Sequence, residues 1–204
     1  ALNRHSVDMA VGCTYKFLNG GPGSPGFLYV AQRHQGATHP LPGWMGHADR
    51  FAFEPDYRPA PGISRFLTGT QSVIAMAAVQ AALSIFDSVT VNTLRQHSLM
   101  LTQNLMDQLA NNPATCGIEC LTPSHAHARG SQVSLRLEHG FAISQALIDR
   151  GVIVDFREPD IIRFGIAPLY NQSGDIDVAV STLADILNSG VYREQKFSKR
   201  ATVT

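Results

Sequence analysis

Gly12-Cys13-Thr14-Tyr15-Lys16-Phe17-Leu18-Asn19-Gly20-Gly21-Pro22-Gly23 is the stretch on which the fold turns. It joins an apolar run (Val7, Met9, Ala10, Val11) to a second one, Gly26-Phe27-Leu28-Tyr29-Val30. Glycines supply positive φ in the loop between them, and prolines fix its corners. Two short apolar runs around such a loop predict neighbouring strands of one sheet, returning like a hairpin. The chain has only three lysines, and Lys196 and Lys199 lie in the polar C-terminal stretch. Lys16 therefore stands alone, at the mouth of a run expected to be a buried strand. Desolvation there disfavours the charged amine, and a neutral amine attacks carbonyls to form a Schiff base. The competing reading is a packed lysine stem with its head in water. Tyr15, next to it, points to the opposite face in an extended strand but shares a site with it at a bend. The glycine-rich segment lacks the GxxxxGK[ST] spacing of a P-loop.

Outward from this stretch, residues 31 to 72 carry His34, His39, Trp44, His47 and repeated proline and glycine. A long irregular segment of this kind in a compact domain is functional or lies at an interface. From Ser72 to Ile85 the residues are apolar nearly all round, which predicts a helix buried on most sides. A second helix is expected over residues 89 to 110, after a break near Asp87 and Ser88. Its stripe is Leu94, His97, Leu101, Leu105 and Leu109, and Asn111-Asn112-Pro113 ends it. This helix pair is the candidate hinge between two domains, at 1–88 and 89–204. In the second, strands are expected over 131–137, 152–156 and 161–166, and helices over 140–150 and 175–187. That order is a small α+β domain. Residues 193–204 read as a polar, frayed tail.

Of the 204 residues, 44% are hydrophobic and only 16% charged, with 16 basic and 16 acidic side chains. A surface this thin in charge is expected to be partly covered by another chain or domain. Zero formal charge gives no steering toward nucleic acid or an anionic membrane, and no apolar run is long enough to span one. Cys13, Cys116 and Cys120 form no disulfide framework, so reduced thiols in a cytoplasmic protein are expected. Cys116 and Cys120 lack a second pair at zinc spacing, and no metal site is expected. Without an initiator Met, the chain reads as a C-terminal fragment of something longer.

The segment Cys13 to Gly23 resembles the cofactor-lysine motif of the kynureninase family, pyridoxal-phosphate enzymes of the aspartate-aminotransferase fold. Gly43-Trp44-Met45-Gly46-His47, Phe66-Leu67-Thr68-Gly69-Thr70-Gln71 and Ile162-Arg163-Phe164-Gly165-Ile166-Ala167-Pro168-Leu169-Tyr170-Asn171 follow in the same family order. The Tyr-Lys-Phe-Leu-Asn and Arg-Phe-Gly-Ile-Ala-Pro-Leu-Tyr-Asn segments are specific. The segment ending in Gln71 is shared more widely, including with cysteine desulfurases. The resemblance covers residues 7 to about 190. It implies an α/β fold: the end of a fold-type-I large domain (1–88) plus the small C-terminal α+β domain (89–204).

The resemblance also implies roles. Lys16 would bind pyridoxal 5′-phosphate and move protons at the substrate α-carbon. Tyr15 would bond the cofactor phosphate and serve as a proton donor. Trp44 and Thr70 would reach that phosphate from the neighbouring subunit of a homodimer with a shared active site. Arg163 would hold the substrate α-carboxylate, a task suited to a planar guanidinium. The implied reaction is hydrolytic cleavage of L-kynurenine, or its 3-hydroxy form, to an anthranilate and L-alanine, in tryptophan catabolism and on the way to NAD.

Each residue has a structural alternative. Trp44 would be a packing anchor, Thr70 a helix N-cap, and Arg163 a partner of Asp155 or Asp160. His47, His125 and His127 are read as structural, although His47 lies near Trp44. Family members carry an upstream half with the aspartate that pairs with the pyridine nitrogen. The match begins just after that motif, so this chain alone is expected to bind the cofactor poorly and turn over little. The alternatives are another fold-type-I enzyme, a desulfurase using Cys116 or Cys120 or an aminotransferase, and a non-catalytic dimerisation fragment.

Overall fold

A computed structural model describes residues 2–199, which divide into two compact units, 1–88 and 89–204. In the first, strands β1 (Met9–Cys13) and β2 (Gly26–Val30) pair antiparallel, with Val11 opposite Leu28 and Gly12 opposite Phe27. Gly12 is required by that pairing: a Cβ there would lie 2.3 Å from the Phe27 ring. The loop between the strands is held by Thr14, whose buried hydroxyl donates to the Pro25 carbonyl at 2.5 Å, and by the Ser24 hydroxyl on the Gly20 carbonyl. Asn19, Gly21 and Gly23 take positive φ in this loop.

Residues 31–72 hold only short 3-10 turns, at Gln32–His34, Trp44–Gly46 and Gly62–Phe66. They are stitched to one another through the backbone. Ala48 N–H donates to the Arg58 carbonyl at 2.7 Å and Ala60 N–H to the Gly46 carbonyl at 2.8 Å. Helix α1 (Val73–Leu83) follows, capped by the Ser72 hydroxyl on Ala75 N–H. The helix forms as expected but is not buried on most sides. Val79 and Ala82 are buried, whereas Val73 and Ile74 are 77% and 85% exposed. Strand β1 is likewise open, with Val11 81% exposed. Apolar composition set the expectation of burial, and the first unit has too few packing layers to supply it.

The second unit has a core of its own. Helix α2 (Val91–Asn111), capped by Thr90, turns Leu94, Leu101, Leu105 and Leu109 inward. Strands β3 (Glu119–Cys120), β4 (Gln132–Arg136), β5 (Asp155–Arg157) and β6 (Ile161–Gly165) form an antiparallel sheet in the order β3-β4-β6-β5. Helix α4 (Ser173–Ser189) packs against both α2 and α3 (Gly140–Asp149). Period two along the strands sends Val133, Leu135, Ile162 and Phe164 into this core. The same period leaves Gln132, Ser134, Asp155, Arg157 and Arg163 on the other face. At about 25 cal/mol per Å² of apolar surface removed from water, each buried leucine or isoleucine contributes roughly 2 kcal/mol.

Two expectations are corrected here. The strand expected over 152–156 begins only at Asp155, because Val152 N–H is taken by the Leu147 carbonyl at the end of α3. The polar tail is not frayed where it is described. Residues 195–198 form a short helix, α5 (Gln195–Ser198), and Tyr192 and Phe197 are buried in the core. The remainder of that expected tail, 200–204, lies outside the described residues.

Candidate functional site

Lys16 follows β1 at a bend, and the bend brings its neighbour to it: Nζ lies 5.2 Å from the centre of the Tyr15 ring. Both side chains are exposed. The strand behind them is open rather than buried, so the amine is accessible but not desolvated by this unit alone. The loop is nonetheless fixed. Asn19 N–H donates to the Lys16 carbonyl and Gly20 N–H to the Thr14 carbonyl, both at 2.9 Å. A Cβ at Gly20 would lie 2.9 Å from Val79 Cγ2, so the loop sits close against α1. Phe17 and Phe86 meet with ring centres 6.2 Å apart.

Trp44 and Thr70 sit on segments that the structure brings together. Met45 N–H donates to the Thr68 carbonyl at 3.3 Å, and a Cβ on Gly43 would be 2.0 Å from Thr68 O. Only glycine permits that approach. Trp44 is half exposed and meets Phe51 edge to face at 6.2 Å. It lines a cleft of about 420 Å³ with His47, Arg50, Phe53 and Tyr57. It is therefore no core anchor within this unit. Thr70 is exposed and caps nothing, since Ser72 supplies the N-cap of α1.

His47, read from the sequence as structural, has its Nδ1 against the Asp49 backbone, 2.6 Å from the carbonyl oxygen and 3.0 Å from the nitrogen, and its Nε2 faces the Asp56 carbonyl at 3.4 Å; these contacts pin the loop. His125 and His127 stack on each other, outside the described site. Cys116 and Cys120 are exposed free thiols, in the turn after α2 and on β3.

Arg163 belongs to the second unit, at the centre of the polar sheet face. Its direct neighbours are Ser134 on β4 and Asp155 on β5. Of the two acidic partners foreseen, it takes Asp155, through Nη2, while Asp160 pairs with Arg136 at 3.5 Å. Arg157 also reaches Asp155 Oδ2, at 3.3 Å. Arg163 Nε is buried without any hydrogen-bond partner. A buried N–H left unpaired is costly, and this one lies in a side chain that lines a cavity of about 470 Å³ with Arg129, Arg157, Ser134 and Gln132. Arg129, also buried, was not singled out by the sequence. Its three partners, Thr102, Gln103 and the Ser124 carbonyl, are all neutral.

Residues 94–183 match the family model described as kynureninase C-terminal domain. Over all 204 residues the chain is 47% identical to the kynureninase of Burkholderia pseudomallei (strain K96243) and 42% identical to that of Pseudomonas fluorescens. Each alignment covers 100% of this chain and 49% of the relative. The chain thus spans about half the length of the curated relatives it matches. Among solved structures, the cystine C–S lyase C-DES in complex with its product cysteine persulfide superposes with a TM-score of 0.75 at 23% identity, covering 90% of this chain and 48% of that one. A cysteine desulfurase from Thermococcus onnurineus NA1 gives 0.76 at 14% identity, covering 92% and 49%. At these identities the likeness is one of fold, the α/β fold of type-I pyridoxal-phosphate enzymes.

Proposed function

We propose that this chain, similar along its whole length to the C-terminal portion of kynureninases, supplies the amine, phenol and guanidinium of a kynureninase active site. The reaction would be hydrolytic cleavage of L-kynurenine, or 3-hydroxykynurenine, to anthranilate, or 3-hydroxyanthranilate, and L-alanine. The observation that carries this reading is Lys16. It stands at a fixed bend with an exposed amine 5.2 Å from the centre of the Tyr15 ring, whereas Lys196 is engaged by Asp149 and Glu194.

The residues present fit pyridoxal 5′-phosphate: a reactive amine, a phenol beside it and a glycine-rich turn behind. The cofactor, when bound, would supply the electron sink for proton removal at the α-carbon and for cleavage of the bond between the β- and γ-carbons. Lys16 Nζ would hold the cofactor and, once displaced by the substrate amine, take the α-proton. Tyr15 Oη would donate to the phosphate. Arg163 would fix the α-carboxylate, and its buried, unpaired Nε would gain a partner if the ligand or a moving neighbour uncovered that edge of the guanidinium. Trp44 and Thr70, exposed and joined through Met45 and Thr68, would meet the phosphate of a second copy, giving a cytoplasmic homodimer with shared sites. The apolar surface of α1 and β1 would be covered in that assembly and by the upstream half that kynureninases possess.

The test is borohydride reduction of the full-length protein with added pyridoxal phosphate, followed by peptide mapping. Label on Lys16, with loss of kynurenine cleavage in Lys16→Ala by about a thousandfold or more, is the expected result. Label scattered over Lys196 and Lys199 with Lys16 unmodified would sink the reading.

A further inference from the structure

We propose that Asp155 is an exchangeable counter-ion: it holds Arg163 while the site is empty and transfers to Arg157 when a substrate carboxylate arrives. This rests on the reading of Arg163 as the carboxylate anchor. Three observations carry it. First, one carboxylate oxygen, Oδ2 of Asp155, serves both Arg163 and Arg157. Two guanidiniums against one carboxylate leave positive charge uncompensated, which the negative charge of an incoming α-carboxylate would offset. Second, a guanidinium presents Nε and Nη2 along one edge, the edge used for bidentate carboxylate recognition. Asp155 occupies Nη2, while Nε is buried and unpartnered. The edge is half taken, so an incoming carboxylate must share or displace Asp155 to use it fully. Third, the strand register provides the second holder. Asp155 and Arg157 lie two residues apart on β5 and so on the same face, with Asp155 directly across from Arg163. Asp155 is about half exposed, so its carboxylate has room to turn.

Of the other groups lining this cavity, Ser134 and Gln132 are neutral, with Ser134 Oγ accepting from Gln132 at 2.9 Å, and Arg129 is a further cation held by neutral acceptors. Asp155 is thus a positioning residue that keeps the Arg163 side chain extended across the sheet. Arg157 makes its departure inexpensive, because the carboxylate leaves one cation for another instead of for water.

The experiment measures binding to the full-length, cofactor-loaded protein by calorimetry. The probe is 4-(2-aminophenyl)-4-oxobutanoate, a carboxylate without the α-amine and therefore unable to react with the cofactor. Asp155→Asn is expected to tighten its Kd about fivefold by removing the competitor, and Arg157→Gln to weaken it by about the same factor. In the Asp155→Asn background, Arg157→Gln should have no further effect, because there is no charge left to receive. Asp155→Ser repeats the charge removal with a smaller side chain and should act in the same direction. Weaker or unchanged binding in both Asp155 variants would overturn the exchange and make Asp155 a fixed buttress. An Arg157→Gln effect that persists without Asp155 would also overturn it, since Arg157 would then contact the ligand itself. Arg163→Gln separates the two readings. It should abolish binding, and if it does not, the carboxylate anchor has been misassigned.

Discussion

The two units differ in how much of their own apolar surface they cover. In the second, helices α2, α3 and α4 and one sheet face enclose Leu101, Leu147, Ile162, Leu183 and Ile186, all at 0% exposure. In the first, the large apolar side chains of β1, β2 and α1 mostly face outward, and the buried ones are few and small: Val30, Ala31, Ala60, Val79 and Ala82. Of the proposed site residues, Lys16 and Tyr15 lie in the first unit and Arg163 in the second. The unit that carries the proposed amine is thus the one whose packing is unfinished. Under the proposed function this is coherent, since a site shared between chains would leave apolar walls open until the chains meet.

The largest expected effect tests this comparison outright. Expressed separately, residues 89–204 should unfold cooperatively in denaturant, whereas residues 1–88 should bind ANS and show no sharp transition. Equal cooperativity in both would erase the contrast. Within the second unit, Leu183→Ala should cost about 3 kcal/mol, read as a shift of the urea midpoint. Ile74→Ser on the open face of α1 should change the stability of the isolated chain by less than about 0.5 kcal/mol. The same substitution should impair dimer formation of the full-length protein in sedimentation. Phe197→Ala should cost about 3 kcal/mol, because its ring is buried in the core; no change in the urea midpoint would mean that the tail frays.

The smallest effect is one of pH. The backbone N–H of Gln172, then the Asn171 amide, hold the Asp175 carboxyl below its ordinary value at the start of α4. A group whose folded pKa is depressed stabilises the fold above its unfolded pKa, and that stability is lost as pH falls through the folded value. Asp175→Asn should therefore lower the second unit's stability slightly at neutral pH and flatten the acid limb, so that the curves of the variant and the parent converge as the pH falls through the folded value.

The sequence carried local periodicity well. The alternation of Val133 and Leu135 and the leucine stripe of α2 appear as expected, because each follows from the repeat of a single element. Strand β3 was not legible, since two residues, Glu119 and Cys120, have no period. Phe197 was hidden among polar neighbours, and its burial depends on a pocket made by distant elements. The apolar composition of α1 was read correctly but its burial was not, because composition does not say what covers a face. At the candidate site, the motifs singled out Lys16, Tyr15 and Arg163, but left Asp155 and Asp160 equally open as partners of Arg163; the strand register decides for Asp155. That Arg157 shares the same oxygen also follows from strand register and was not legible.

The sheets described above also differ at their borders. In the second unit the outer strands are β3, with two residues, and β5, with three. So little unpaired backbone offers almost no template for another strand. The β1–β2 ribbon has five residues in each strand and, among the described residues, no third strand on either side. Its outer edges, along Val11 and Leu28, invite strand addition from other copies. When this chain is produced alone, fibrous self-association should therefore start at Met9–Cys13 and Gly26–Val30 and spare the β3-β4-β6-β5 sheet.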